Sequence, residues 1–143
     1  MPSAQSAALT PLDPLVGTWT ITISAPSGPV QGQATFAWLP GGGFLVQQWQ
    51  TPAPYPSGIA VIGVAQIGQG FTQSYFDNRG VARVYQMGLS NGVWTLHRQG
   101  PDFPQRFTGT FSADQKTITG TWERSRNGAT WTHDFDMTYQ KIS

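Results

Sequence analysis

Cysteine is absent from the 143 residues, so disulfides, thiolate metal sites and thiol nucleophiles are excluded. Charge is scarce as well: 10% of the residues are Asp, Glu, Lys or Arg, against about 25% in an ordinary domain. Glu123 is the single glutamate, and Lys116 and Lys141 are the two lysines. Surface helices prefer these residues, and their scarcity argues against helical faces laced with ion pairs. The 8 basic and 7 acidic residues leave a net charge of +1. Without a basic block, binding of nucleic acid through counterion release has no support. The longest apolar stretch, residues 59–65, is too short to span a bilayer. No charged start precedes an apolar segment of the secretory kind. The expectation is a soluble, cytoplasmic chain with neither a nucleic acid nor a membrane as partner. A homodimer is compatible with the composition.

The chain is rich in Thr, Val, Ile, Phe, Trp and Tyr, which suit a pleated, half-buried surface. Its 17 glycines and 11 prolines interrupt any long helical pattern. The fold class is therefore all-β. Alternation and turn residues predict strands over residues 15–24, 30–39, 44–50, 59–66, 71–76, 81–89, 93–99, 105–112, 117–124 and 130–141. The turns between them include Pro40-Gly41-Gly42-Gly43, Gly68-Gln69-Gly70, Asp77-Asn78-Arg79-Gly80, Asn91-Gly92 and Asn127-Gly128, with a loop over residues 100–104. Asn91-Gly92 is the strongest hairpin signal.

Tight sequential turns imply antiparallel neighbours in an up-and-down meander. An open sheet of about ten twisted strands would expose two edges, and closure into a barrel removes them. A barrel of more than about eight strands encloses volume that its own side chains need not fill. A two-sheet sandwich is the structural alternative. Residues 1–14 read as a flexible tail or short plug, with residues 1–5 disordered and 9–15 a 3₁₀ turn, and residues 15–143 as one barrel domain.

Strict alternation assigns the faces. Trp19, Ile21 and Ile23 share one face of the first strand. Trp131, His133, Phe135, Met137 and Tyr139 share a face of the last and are expected inside, opposite Thr132, Asp134, Asp136 and Thr138. Phe107, Gly109, Phe111, Ile118, Gly120 and Trp122 are expected inside in the same way. The middle strands mix polar and aromatic residues on one face: Leu45, Gln47 and Trp49; Gln73 and Tyr75; Arg83, Tyr85 and Met87. A lumen holding both kinds of group gives this pattern, and so does a surface with scattered apolar residues.

Residues 12–19, with their Leu-Val-Gly-Thr-Trp core, resemble the opening strand of calycin-type barrels: lipocalins, fatty-acid-binding proteins and nitrobindin-like proteins. Residues 107–120 with Trp122, then Asn127-Gly128-Ala129-Thr130-Trp131 and residues 134–139, resemble lipocalin-like bacterial proteins of the DUF1579 type. Gly42-Gly43-Phe44-Leu45-Val46 fits the same pattern. The resemblance implies a ten-stranded calycin-like barrel that binds or transforms a small molecule, and fold alone does not say which. It also implies haem as a candidate cofactor, because nitrobindin-like proteins hold haem through a histidine near the start of the final strand, where His133 stands. The glycine-rich opening of that family is replaced here by Thr20-Ile21-Thr22-Ile23-Ser24.

An inward His133 could ligate haem, act as a general base or hydrogen-bond a ligand. The plainer account is a core histidine bonded to a neighbour. His97 falls on the outer face, and two histidines so far apart offer no metal-ligand spacing. Tyr75, Asp77, Arg79, Arg83 and Tyr85 flank one turn, so pairing would gather them at one barrel end. There Arg83 could hold an anionic oxygen and a tyrosine could serve as acid; alternatively Asp77 caps its turn and the arginines are solvated. Asp134 and Asp136, about 7 Å apart on one face, match a glycosidase pair only superficially. No nucleophile elbow, P-loop or dinucleotide fingerprint occurs.

Beside haem binding through His133, two functions remain on this reading. One is binding of an apolar or aromatic small molecule by Trp19, Trp49, Tyr75, Tyr85 and Trp131, with Gln47, Arg83 and His133 orienting its polar end. The other is a cofactor-free lyase, isomerase or cyclase in the same cavity, using Tyr75, Arg83 and His133.

Overall fold

The computed structural model describes residues 7–66, 69–98 and 104–143. A 3₁₀ helix at Thr10–Leu15 is followed by ten strands: β1 Gly17–Ile23, β2 Val30–Trp38, β3 Leu45–Gln50, β4 Gly58–Val64, β5 Phe71–Asp77, β6 Ala82–Ser90, β7 Val93–Arg98, β8 Gln105–Phe111, β9 Thr117–Ser125 and β10 Trp131–Lys141. Each strand pairs with its sequence neighbour, and β10 returns antiparallel to β1, from Trp19 opposite Lys141 to Ile23 opposite Met137. The result is a closed up-and-down barrel. Asn91 and Gly92 take φ of 53° and 74°, the doubly left-handed pair that tightens the β6–β7 hairpin in line with the strand twist. The expected tail over residues 1–5, the Gly68 turn position, Gln99 and the loop positions 100–103 lie outside the described residues.

One end of the barrel is filled. Leu9, Leu12 and Leu15, from the 3₁₀ helix and the residue before it, have no exposed surface. Burying each such side chain is worth about 1.5–3 kcal/mol. Trp19 donates from Nε1 to the Leu15 carbonyl at 2.8 Å, which ties the plug to β1. Phe111 and Tyr139 meet the Trp19 ring edge-on, at 6.5 and 6.3 Å between centroids. Phe36, Leu45, Ile62, Phe71, Met87 and Ile118 complete this floor. Gly109 and Gly120 face inward for a steric reason. A Cβ on Gly109 would lie 2.9 Å from the Phe107 ring, and one on Gly120 would press into the same ring.

The last strand corrects a face assignment. His133 pairs with Glu123, but Phe135 pairs with Trp122, so the β9–β10 register shifts and Asp134 is the extra residue. Such a bulge breaks the period of two. Phe135, Met137 and Tyr139 remain on the inner side, whereas Trp131 and His133 stand outside. Trp131 lies under Arg106, whose Cζ is 4.3 Å from the ring centre, and beside His97. Arg106 in turn pairs with Glu123 at 2.7 Å. His133 is more than half exposed and bonds Asp136 at 3.0 Å. The expected inward position of Trp131 and His133, and the outward position of Asp134, do not hold.

Candidate functional site

Above the filled floor the barrel is hollow. A cavity of about 680 Å³ lies between the strands, within the roughly 300–1,000 Å³ of small-molecule sites. The antiparallel register orders its wall by depth. Gln47, Gln73, Trp94 and Tyr139 sit next to the floor residues of their strands. Tyr75, Arg79, Arg83, Gln105 and Asp134 line it nearer the mouth.

Aromatic rings form much of the wall. Trp49 and Tyr75 stack at 5.2 Å, and Trp122 and Phe135 stack at 6.3 Å. Tyr85 stands between the two pairs, edge-on to Tyr75 at 6.1 Å and to Trp122 at 5.8 Å. Gly58 makes room for this arrangement, since a Cβ there would come within 2.8 Å of the Trp49 ring. The Trp49 indole is held by its own N–H, which donates to the Pro56 carbonyl at 3.1 Å.

Polar groups are fixed at the mouth. The Tyr75 hydroxyl donates to Asp77 Oδ2 at 2.6 Å. Arg79 donates to the same carboxylate from its backbone N–H, Nε and Nη2, the last at 2.6 Å. The Arg79 guanidinium, through these hydrogen bonds, holds the Asp77 carboxyl well below the usual carboxylate range. Burial and then the bond to Asp77 push the Tyr75 hydroxyl above its ordinary value. Gln105 Oε1 accepts from Tyr85 Oη at 2.7 Å and from Arg83 Nη1 at 3.0 Å. Burial also raises Tyr85 and Tyr139, the latter bonded to Gln47.

Of the residues expected to line a lumen, Gln47, Trp49, Tyr75, Arg83 and Tyr85 are brought together in this cavity. Trp19 is inside but belongs to the floor beneath it. Trp131 and His133 are on the outer wall, so His133 reaches neither the cavity nor any group bound there. Sequence reasoning put Trp122 inside and Gln73 on the mixed face without naming either as a ligand contact, and it did not name Trp94 or Gln105 as wall residues. Alternation from Phe107 back to Gln105, and from Leu96 to Trp94, carried the signal for two of them. Asp134 had none, because a bulge leaves no mark in composition.

No family model and no curated protein matches the chain. Among solved structures, one similar to it is the crystal structure of Rv2717c from M. tuberculosis. The match covers 100% of both chains at 15% identity and a TM-score of 0.62. At that identity the likeness shows the fold alone: this chain and that protein share an antiparallel ten-strand barrel.

Proposed function

We propose that the chain is a small-molecule carrier or receptor of the lipocalin-like kind, holding an apolar or aromatic ligand inside the barrel. The cavity of about 680 Å³, walled by two stacked ring pairs with a fifth ring between them, carries this reading. Flat ring surfaces offer a large apolar contact with little conformational entropy to lose. The polar groups at the mouth suit holding a ligand more than turning it over. Asp77 is kept ionised with both oxygens engaged, and Tyr75 and Tyr85 are kept protonated. Proton transfer near neutral pH favours groups that titrate there. A haem-binding role would have to find a ligand other than His133. The calycin-type resemblance of residues 12–19, with Trp19 across the barrel floor, agrees with this proposal.

A cavity-filling substitution tests it. The wild-type chain is expected to bind the fluorescent ring compound 1-aminoanthracene with a stoichiometry of one. Leu96→Trp, which puts an indole into the lumen, is expected to weaken that binding at least tenfold while cooperative melting persists. Equal binding by a folded Leu96→Trp chain would place the probe elsewhere and refute the proposal.

A further inference from the structure

Charge is unevenly distributed around the barrel. Between Asp13 and Asp77 the sequence contains no Asp, Glu, Lys, Arg or His, so β1 to β4, and β5 up to its last residue, are uncharged. On β6, Arg83 turns into the cavity. Among the described residues, the ion pairs of the outer wall, Arg106 with Glu123 and His133 with Asp136, stand on the opposite half over β8 to β10. The strand register builds an apolar patch on the uncharged half. Val46, Val61, Ser74 and Val84 lie side by side across β3 to β6, and Gln48, Ile59, Phe76 and Ala82 form the next row. Both rows alternate with buried residues such as Leu45, Ile62 and Tyr85, so they point outward. Phe44 adds a ring over Gly63, where a Cβ would lie 2.7 Å from it. Among the described residues, four of the five exposed large apolar side chains, Leu39, Phe44, Phe76 and Val84, lie on this face or at its edge, and Val84 is 62% exposed. Scattered apolar groups on a surface are ordinary, whereas a contiguous patch marks a contact surface.

We infer that this face is the contact surface of a symmetric homodimer, occupied by a second copy of the chain. Charge argues for a copy. An ion pressed against the patch would lose its water and find no counter-charge, so the partner must bring an uncharged surface of its own, and this chain supplies one. A two-fold pair sets the patch against itself and leaves the charged half of each chain in solvent. A lipid surface is a poorer match, because patches made for one are flanked by Lys or Arg. The two lysines, Lys116 and Lys141, meet through their backbones between the β8–β9 turn and the end of β10, away from the patch. The area is sufficient. Five strands, β2 to β6, about 4.8 Å apart and about seven residues long, outline about 550 Å². The accessible area of a corrugated face exceeds its flat outline, which brings it to the about 600–1,000 Å² that each partner of a stable pair buries. The inference is independent of what the cavity holds.

Sedimentation velocity over a dilution series tests it. The wild-type chain is expected to pass from monomer to dimer with rising concentration and to go no further. Because the contact is apolar, sodium chloride is expected to leave the dimer in place and sodium sulfate to strengthen it. Phe76→Glu and Val84→Glu replace exposed side chains on two different strands. Each is expected to weaken the dimer about tenfold or more while melting stays cooperative. Thr108→Glu, at an exposed outer position of β8, is the control that keeps the wild-type affinity. A wild-type chain that is monomeric at every concentration, a dimer that falls apart in sodium chloride, or folded Phe76→Glu and Val84→Glu chains that dimerise as well as wild type would each overturn the inference. So would a monomeric wild type that binds phosphatidylcholine vesicles and loses them in Val84→Glu, which would give the face to a membrane. The wild-type concentration and salt series decides even if neither variant folds.

Discussion

At the scale of single residues, the Asp77 carboxylate organises the mouth. Its side chain has no exposed surface, while the Arg79 side chain beside it is half exposed. Removing one partner of a fully buried pair costs about 3–5 kcal/mol; solvent around Arg79 reduces this, and Asp77→Ala is expected to cost about 2 kcal/mol at neutral pH. The pH dependence follows from the depressed carboxyl. Its stabilising effect is complete above about pH 3.9, the ordinary Asp value, and is lost as pH falls through the lower value of the folded state. Urea unfolding between pH 2 and 6 is therefore expected to show a shallower acid loss in Asp77→Asn than in wild type. Equal slopes would mean that Asp77 is not the group responsible.

At the scale of elements, the bulge at Asp134 decides which side chains of β10 can meet a ligand. Deleting Asp134 would join His133 opposite Glu123 directly to Phe135 opposite Trp122, a regular ladder with His133 still outside. Carbethoxylation of His133 is accordingly expected to be as fast in the deletion variant as in wild type. Protection of His133 in either chain would contradict the register. This element also marks the limit of sequence reading. All ten strands were legible, because turns such as Asn91-Gly92 and alternations such as Trp19, Ile21 and Ile23 are local signals. So was the central part of the site on β3, β5 and β6, where Gln47, Tyr75 and Tyr85 keep strict phase with their apolar neighbours. His133 and Trp131 kept the same phase on paper and still faced outward. One additional residue reverses every position beyond it, and its place is set by pairing with β9 rather than by the residues of β10. That Gln73 Oε1 and Trp94 Nε1 find no partner among the described residues was equally hidden, since the lack of a partner is a property of the packed interior.

At the scale of the whole molecule, the barrel divides into a solid lower part, built on the plug and Trp19, and a hollow upper part lined by rings and hydrogen-bonding groups. The division assigns stability chiefly to one part and selectivity to the other. Both parts need the ring of strands to be complete. A chain ending at residue 130 would lack β10 and expose the pairing edges of β1 and β9, and unpaired edges recruit other chains. Such a fragment is expected to give no cooperative thermal transition and to sediment as aggregate; a monomeric fragment that melts sharply would show that the seam is dispensable.

The seam between β1 and β10 bears on how the protein is made. It joins the first strand of the barrel to the last, Trp19 to Lys141, so the eight strands between them must leave the ribosome before the two can meet. Until then the nascent protein is an incomplete sheet with the indole of Trp19 uncovered, and that interval is when a chaperone has something to hold.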